Sequence, residues 1–408
     1  MDARQAAGTA LLGARCVGAL ARIAADRVEE GLGRALPRTP EQLARTETIG
    51  ALLRECAPEG APALPPLRRA SLPGVRFESS NCTNFLVALD FDAAVGVEPP
   101  PKTLYAKLPC AELGTRVFAN AVGFWEVEAF FCQRLAARVP VRVPRVYAVA
   151  RRGARFALLL ENLNETPGLR LFDNRDMAAG TTVERAQRCL RSFAELHAAF
   201  WGLGPEQREA LFPLRLHSYL APRGRDANRA LNAAAIAPAH RAAPELFAAR
   251  HAALCRLAIE KWDALVEAWY AGPLTLIHGD SHLANCFEYS GPDGPRMGLI
   301  DFQGLQWCQG IRDLQYHLIN SLEPEVLAES EEALIDDYVG ALRQRGVELE
   351  PGRAREQYRA LSFQTLMVAV VSVGLGSLTE RAETVRTVLR RSVAAIDRLG
   401  FGDWLEAL

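Results

Sequence analysis

The stretch "LIHGDSHLANCF", residues 276–287, decides how the chain is to be understood. An apolar run leads into His278, Gly279 and Asp280, and Asn285 follows five residues after the aspartate. Polar residues after a predicted strand can be ordinary turn residues. Carboxylate and amide oxygens at this separation can also share a Mg²⁺ ion, because this hard cation prefers oxygen ligands. The remainder of the chain has to distinguish these interpretations.

The bulk composition is that of a globular protein without a nucleic-acid partner. Of the 408 residues, 49% are hydrophobic and 23% are charged, and the formal net charge is −1. A chain of this length predicts roughly two to three domain-sized units. Nucleic-acid binders concentrate basic residues, so the near-neutral balance argues against that class of protein.

The cysteines and the apolar stretches indicate a cytoplasmic protein without a membrane partner. Nine cysteines form an odd set with no CxxC pair, which argues against a disulfide framework and a zinc ribbon. The apolar stretch 366–378 is too short to span a bilayer, so we interpret it as a core helix. The N-terminus carries Asp2 and several arginines, which makes a poor signal peptide.

The order of predicted elements indicates three parts. Residues 1–68 are predicted to form an N-terminal helical extension that ends in a Pro-rich linker. Residues 69–163 have the pattern of strand, strand, helix and strand. Residues 164–408 are mainly helical, apart from short predicted strands between 274 and 303. The predicted fold class is therefore α+β, with a small sheet-containing lobe followed by a large, mainly helical lobe.

Hydrophobic patterns and turn signals predict the individual elements. The clearest are a helix over 1–35, a helix N-cap at Thr39 with Gln42 completing a capping box, strands over 84–91, 103–110 and 155–163, and helices over 124–139, 181–201 and 243–270.

Four polar features follow one another along this pattern. They are Lys107 near the end of a predicted strand, a helix with Glu126 and Glu128, Asp280 with Asn285, and Asp301 after another apolar run. Phosphoryl transfer needs an aspartate to accept the proton of the attacking hydroxyl. It also needs oxygen ligands for Mg²⁺ and a lysine against the phosphate oxygens. Only Lys102, Lys107 and Lys261 are lysines among the 47 basic residues. A lysine at the position where phosphate binding requires one is therefore not expected by chance.

Helical periodicity selects the glutamate that would orient this lysine. Residues advance about 100° each along a helix, so Glu128 lies within about 40° of Phe124, inside an apolar stripe, while Glu126 points away. A carboxylate inside an apolar stripe needs a partner, and Lys107 is the obvious candidate.

Other polar residues have interpretations outside phosphoryl transfer. His278 and His282 stand four residues apart and could suggest a zinc pair, but the H-E-x-x-H pattern needs a glutamate where Gly279 stands. His197 falls on an apolar helix face and is interpreted as a core histidine. Asp313 opens a predicted helix and is interpreted as a cap or as a group that supports the site.

The motifs around Asp280, Asp301 and "RDLQYHL" resemble those of the aminoglycoside phosphotransferase and choline kinase group. The similarity is greatest to its ecdysteroid-kinase-like branch and covers about residues 75–395. The resemblance implies a two-lobed, protein-kinase-like fold, with nucleotide binding in lobe 69–163 and acceptor binding in lobe 164–408. It implies ATP and Mg²⁺ as cofactors.

The resemblance also implies roles for individual residues. Asp280 would be the catalytic aspartate, and Asn285 and Asp301 would be the Mg²⁺ ligands. Lys107, oriented by Glu128, would bind the phosphates, and the backbone near Glu161 and Leu163 would hold adenine.

One segment departs from the kinase pattern. No glycine occurs from residue 77 to 85, where kinases have a Gly-rich loop over the phosphates. Backbone amides and the hydroxyls of Ser79, Ser80 and Thr83 could form an anion nest instead. Because of this departure, an alternative function is retained: a pseudokinase that binds a ligand without transferring phosphate.

The acceptor is expected to be a small alcohol. Only eleven residues separate Asp301 from Asp313, which leaves no room for the activation loop and A-P-E motif of a protein kinase. We therefore expect transfer to a hydroxyl of a small, partly apolar molecule. An aminoglycoside-type antibiotic kinase is the alternative, and the sequence leaves the acceptor and the oligomeric state open.

Overall fold

The computed structural model describes residues 3–33, 35–77, 81–92, 99–216, 222–376 and 382–408. The chain forms two units, one of residues 13–169 and one of residues 1–12 with 170–408. The sequence predicts a lobe boundary after residue 163 and a separate extension over 1–68, and that three-part division stays a prediction.

An antiparallel sheet forms the centre of the unit of residues 13–169. Its strands are β1 (Leu67–Ser71), β2 (Arg76–Phe77), β3 (Cys82–Phe91), β4 (Thr103–Pro109), β5 (Val146–Arg152) and β6 (Arg155–Glu161). The hydrogen-bonded order is β1-β3-β4-β6-β5, and β2 also pairs with β3. The predicted strands over 84–91, 103–110 and 155–163 correspond to β3, β4 and β6.

The helices of this unit are short apart from the first. They are α1 (Ala3–Gly31), α2 (Pro40–Leu43), α3 (Thr46–Glu55), α4 (Leu113–Val122) and α5 (Phe124–Arg134). The predicted N-cap is present, because the Thr39 side chain accepts a hydrogen bond from the Gln42 amide. The Gln42 side chain accepts from the Arg38 amide at 2.7 Å rather than from Thr39, so the predicted capping box is displaced by one residue.

Residues 40–56 pack onto the sheet. Leu43 and Ile49 are fully buried and share a hydrophobic core with Phe85 and Val87 of β3. Burying a large aliphatic side chain stabilises a fold by about 1.5–3 kcal/mol. These residues are therefore part of the same folded unit as the sheet.

Helices make up most of the other unit. They are α6 (Asn174–Ala179), α7 (Val183–Ala199), α8 (Pro205–Leu211), α9 (Pro222–Ala242), α10 (Ala249–Glu260), α11 (Trp262–Tyr270), α12 (Ile311–Ser321), α13 (Pro324–Arg343), α14 (Pro351–Leu375), α15 (Ala382–Arg398) and α16 (Phe401–Ala407). Every residue of α12 is buried, and α14 packs against α9, α12 and α15. The predicted helix over 181–201 corresponds to α7, and Thr182 caps it by accepting from the Arg185 amide.

Short strands interrupt the helices of this unit. They are β7 (Arg170–Leu171), β8 (Thr275–Ile277), β9 (Cys286–Gly291), β10 (Gly294–Leu299) and β11 (Gln306–Cys308). β9 and β10 form a hairpin, β7 pairs with β9, and β11 pairs with β8. Asn285 immediately precedes β9, and Asp301 follows β10 by two residues. The Ile300 amide donates to the Asn285 carbonyl at 3.0 Å, which closes the base of the hairpin.

One predicted helix is divided in the structure, and one strand has no counterpart in the sequence-based prediction. The helix predicted over 243–270 is two helices, α10 and α11, which meet at Lys261. The Lys261 ammonium donates to the carbonyls of Leu405 and Glu406 at 2.9 and 2.8 Å. Hydrogen bonds to residues far away in sequence therefore stabilise the interruption between the two helices. Strand β5 was not predicted, because a continuous apolar run does not distinguish a strand from a helix.

Two described helices are long and apolar enough to cross a membrane, judged by length and composition alone. They are the segment 6–31 of α1 and helix α14. Residues 366–375 of the apolar stretch predicted over 366–378 are thus the end of a 25-residue helix, and residues 377 and 378 lie outside the described part of the chain. Of the most apolar window of α14, 67% is buried in the fold, against 17% for α1. Core helices and signal sequences meet the same criterion, so these two helices are weak indications of a membrane span.

Candidate active site

Strand β4 and helix α5 bring Lys107 and Glu128 together. The Lys107 Nζ lies 2.5 Å from the Glu128 Oε1, and the two residues are only 4% and 2% exposed. Two charges buried this deeply are tolerated because each compensates the other. Glu126 points to a more exposed side of α5 and pairs with Arg151 at 3.1 Å. The partner of Lys107 is therefore Glu128, as the helical periodicity predicts.

The residues predicted to hold adenine lie where β6 ends. The Glu161 carboxylate accepts from the Arg142 guanidinium at 2.5 Å and from the Arg145 amide at 2.9 Å. Leu163 is buried and begins a short 3₁₀ turn. The backbone amide of Glu161 also donates to the Arg145 carbonyl at 2.8 Å, so both its side chain and its amide contact the segment before β5.

The predicted phosphate loop is only partly described. Thr83 lies half-buried in β3, opposite Leu108 of β4. Ser79 and Ser80 lie outside the described residues.

The loop after β8 is held by a buried carboxylate. The amides of His278 and Gly279 donate to Asp313 at 2.6 and 2.9 Å. The ring Nε2 of His197 also lies 3.1 Å from this carboxylate, and its Nδ1 lies 2.8 Å from the Tyr338 hydroxyl. His197 is thus a buried, hydrogen-bonded core histidine and Asp313 supports the loop, as the sequence indicates for both.

Asp313 remains ionised despite its burial. Desolvation raises the pKa of this carboxyl, but the hydrogen bond and charge of His197, together with backbone donors, outweigh it, so the pKa of Asp313 is lowered. An ionised Asp313 can accept from both loop amides at once.

Asp280 has partners on both carboxylate oxygens. The Tyr316 hydroxyl donates to Oδ1 at 3.0 Å, and the Asn285 amide donates to Oδ2 at 3.2 Å. Burial raises the pKa of Asp280, but the charge of His282 and the Tyr316 hydrogen bond help to outweigh it, so the pKa is lowered. A quarter of the side chain stays exposed, at 25%. The carboxylate is therefore ionised, oriented and accessible.

Asn285 is oriented so that its oxygen is available to a cation. Its Nδ2 donates to the backbone oxygen of Asp280 at 2.8 Å as well as to the carboxylate. Both bonds occupy the NH₂ group and leave Oδ1 as an acceptor. An amide oxygen beside carboxylates is a donor set that suits Mg²⁺.

Asp301 has an unusual backbone conformation. Its φ of 63° is the only positive value of a non-glycine residue in the described part of the chain. This left-handed geometry is costly for an aspartate and clusters at functional sites. It turns the chain directly after β10, so that Gly304 contacts Gly279 and Asp280. The second carboxylate thus sits in a turn that touches the Asp280 loop.

Tyr316 is the functional neighbour that the sequence did not reveal. It lies 36 positions after Asp280, on α12. The Arg312 guanidinium lies over its ring at 4.4 Å, which helps to fix the ring. Its helix-forming sequence context gives no signal of this contact, which depends on tertiary packing.

A cysteine pair and a histidine are buried behind the loop. The sulphurs of Cys189 and Cys286 and a ring nitrogen of His317 lie within 4.8 Å of one another. The His317 Nδ1 donates to the Ser281 carbonyl at 2.8 Å. These residues connect α7, β9 and α12 directly beneath Asp280 and Asn285.

Three of the large aromatic side chains near the loop-bearing helices are core residues. Trp262, Trp269 and Trp307 are fully buried, and each indole nitrogen donates to a backbone carbonyl. Trp201 is half-buried and lies close to Gly310.

The model of the ecdysteroid kinase-like family matches residues 127–349, which is more than half of the chain. The chain belongs to the ecdysteroid kinase-like family. This confirms the resemblance seen in the sequence. No curated protein sequence matches the chain.

Several solved structures are similar to this ecdysteroid kinase-like chain over most of its length. A Ralstonia eutropha JMP134 protein, provisionally assigned as an aminoglycoside phosphotransferase, is 17% identical, with a TM-score of 0.48 over 88% of this chain and 98% of its own. Plasmodium vivax ethanolamine kinase is 11% identical, with a TM-score of 0.46 over 80% and 82%. Choline kinase from Cryptosporidium parvum Iowa II is 12% identical, with a TM-score of 0.44 over 83% and 89%. Sequence identities this low do not identify a substrate for this chain.

Proposed function

We propose that the chain transfers the γ-phosphoryl group of ATP, with Mg²⁺, to a hydroxyl group of a small organic molecule. The observation that carries this proposal is the ionised Asp280, held by Tyr316 and Asn285 at the tip of the loop. A carboxylate held in this way can accept the proton of an attacking hydroxyl.

The proposed reaction is an in-line displacement at phosphorus. The acceptor oxygen forms a bond to the γ-phosphorus, and its proton passes to the Asp280 carboxylate. The bond between that phosphorus and the β,γ-bridging oxygen breaks, and ADP leaves with the electron pair. Asp280 returns the proton to solvent after the product leaves.

The cofactors are assigned from the donor groups. Asn285 Oδ1 and the Asp301 carboxylate would hold Mg²⁺, which when bound neutralises charge on the phosphates. Lys107 would bind the α- and β-phosphates, with Glu128 fixing its ammonium. The backbone at Glu161 and Leu163 would bind adenine, and Thr83, with Ser79 and Ser80, would contribute to phosphate binding.

A small acceptor fits the segment that follows Asp301. Strand β11 and the start of α12 occupy the eleven residues up to Asp313, and β11 is paired with β8. A peptide substrate would need an extended platform at this place. The proposed acceptor is therefore a small, partly apolar alcohol, handled in the cytoplasm.

The test is a thermal-shift titration with ATP, with and without Mg²⁺. Ligand binding to the folded state raises the apparent stability by mass action. Wild type should show a Mg²⁺-dependent upshift that Asp301→Asn loses. The matched control is Asp293→Asn, because Asp293 is exposed at the tip of the same hairpin and should leave the upshift unchanged.

A second measurement separates binding from transfer. Asp280→Asn should keep the ATP upshift, since the carboxylate is assigned to the acceptor proton, while ADP release falls by about 10²–10⁴-fold. Undiminished ADP release by this variant would remove Asp280 from the mechanism. No upshift in wild type would instead favour a ligand-binding protein without transfer activity.

A further inference from the structure

A small cavity lies at one end of the sheet of residues 13–169, where β4 ends and β6 begins. Its volume is about 260 Å³. The residues that line it are Glu30, Pro37, Arg38, Thr39, Gln42, Pro109, Cys110, Ala111, Arg116 and Arg155. Lys107, Glu128, Glu161 and Leu163 are not among them, but the wall at Pro109 and Cys110 is paired with residues 81–82, next to the predicted phosphate loop.

The charges on the cavity wall do not balance. Three guanidinium groups and one carboxylate, that of Glu30, line the cavity, and the buried Asp26 carboxylate lies behind them, 3.8 Å from Arg155. Arg155 uses its donors within the protein, because it pairs with Glu30 at 2.8 Å and donates to the Leu36 carbonyl at 2.9 Å. Arg38 is more exposed and reaches the same Glu30 at 4.0 Å. Glu30 is therefore shared between two arginines.

Among the described residues, Arg116 has no ion pair as close as that of Arg155, although the charge of the buried Asp26 carboxylate acts on it. It is 8% exposed, and its Nε has no hydrogen-bond partner. In the described part of the chain its guanidinium forms no ion pair and no hydrogen bond. Burial, followed by the charges of Arg155 and Arg38, lowers the pKa of Arg116, and the opposing charge of Asp26 compensates for this only in part.

A buried and unpaired guanidinium is costly, because removing one charge of a buried pair typically destabilises a protein strongly. The planar guanidinium fork binds oxyanions through two parallel hydrogen bonds. An oxyanion in the cavity would therefore satisfy Arg116 and restore charge balance to the wall. The volume suits a small ligand rather than a nucleotide.

We propose that this cavity binds a small phosphate-type oxyanion, with Arg116 as its principal ligand and Arg38 as a second. The cavity wall at Pro109–Ala111 directly follows the strand that carries Lys107. Helix α4, which carries Arg116, leads through Gly123 into α5, which carries Glu128. If the chain binds ATP as proposed above, occupancy of the cavity is expected to alter ATP affinity. Only this effect on ATP affinity depends on the proposed function.

The first test is a thermal-shift and calorimetric titration of the full chain with inorganic phosphate and with pyrophosphate. The ionic strength is matched with NaCl. Wild type should show a saturable upshift that NaCl does not reproduce. Arg116→Gln should weaken the binding by about tenfold or more, since it removes charged hydrogen bonds. The matched control is Arg69→Gln, because Arg69 is exposed on β1 and should leave the binding unchanged.

The second test concerns stability without any added anion. At low ionic strength Arg116→Gln should be at least as stable to urea as wild type, because it removes an unpaired buried charge. A clear destabilisation would mean that Arg116 has a partner within the chain, and would overturn the proposal. An equal phosphate upshift in Arg116→Gln, or an equal upshift with NaCl, would also overturn it by showing an adventitious ion only.

These outcomes are independent of the proposed kinase activity. Neither titration contains ATP or an acceptor, so phosphate binding can fail while ATP binding succeeds, and the reverse. The Asp301→Asn variant separates the two kinds of binding. It should keep the thermal upshift caused by phosphate in the cavity and lose the Mg²⁺-dependent upshift caused by ATP.

Discussion

At the scale of single residues, Asp313 determines the shape of the loop that carries Asp280. Its one carboxylate accepts from two consecutive loop amides and lies next to His197. None of these groups contacts solvent freely, since His278, His197 and Asp313 are all fully buried. A change at Asp313 would therefore alter the position of Asp280 without touching it.

Asp313→Asn should destabilise the protein by about 3 kcal/mol at neutral pH, because a neutral amide replaces a buried charge with several donors around it. The pKa of Asp313 is lowered below the ordinary value of an aspartate, so the contribution of the ionised carboxyl is complete above about pH 5. It is lost as the pH falls through the lower pKa of the folded state. The stability difference between wild type and variant should therefore shrink in acid.

Urea unfolding at a series of pH values measures this difference. Asp403→Asn is the control, since Asp403 is exposed on α16 and the variant should match wild type throughout. A difference for Asp313→Asn that stays constant down to the lowest pH would show that the charge contributes nothing.

At the scale of elements, one ion pair connects strand β4 to helix α5. Glu128→Leu alone should destabilise the protein by about 3–5 kcal/mol, because it removes the buried carboxylate that lies 2.5 Å from the Lys107 ammonium. Lys107→Met combined with Glu128→Leu should recover most of that loss. The double variant should nevertheless fail to bind ATP, since the proposed phosphate ligand is gone.

A double-mutant cycle from urea unfolding gives the coupling energy of the pair. Glu126→Leu is the matched control on the same helix, because its more exposed pair with Arg151 should be worth less than about 1 kcal/mol. Equal losses for Glu126→Leu and Glu128→Leu would contradict the assignment of Glu128.

The contact between two loops is a second feature at this scale. Gly279 has φ +81°, and a Cβ atom there would lie 1.9 Å from the Gly304 carbonyl oxygen. Gly279→Ala should therefore separate the Asp280 loop from the Asp301 turn and abolish ADP release. Gly346 has a similar φ of +78° with nothing within 4 Å of its Cβ position. Gly346→Ala should lose about 1 kcal/mol of stability and keep its activity. Similar activity in the two variants would show that the loop contact is unimportant.

At the scale of the whole molecule, the region before residue 69 contributes to the core. A chain that begins at residue 69 lacks Leu43, Ile49 and Leu52, which are buried with the sheet. We expect this truncation to expose apolar surface and to be insoluble or unfolded, as judged by circular dichroism and gel filtration. A chain that begins at residue 36 keeps these residues but loses Glu30, the partner of the buried Arg155, so it should fold with reduced stability. A folded, soluble chain from residue 69 would make residues 1–68 a separable extension after all.

The sequence predicts the parts of this molecule that local patterns determine. Strands β3, β4 and β6 have bounded apolar runs, and the choice of Glu128 follows from helical spacing. Tyr316 and the partner of Lys261 were not predicted, because their contacts depend on segments that meet only in the folded chain. The roles assigned to Asp280, Asn285 and Asp301 stay predictions until ATP binding and transfer are measured.

The β9–β10 hairpin has a consequence for how this chain could change in evolution. It begins directly after Asn285 and ends just before Asp301, and the bond from Ile300 to Asn285 closes its base. The separation of these two side chains is thus set at the base, by strand register, and not by the length of the hairpin. Insertions at the exposed tip near Asp293 should be tolerated in related chains, whereas a one-residue slip in register would turn alternate side chains to opposite faces. The tip is accordingly the place to introduce a tag or a small domain.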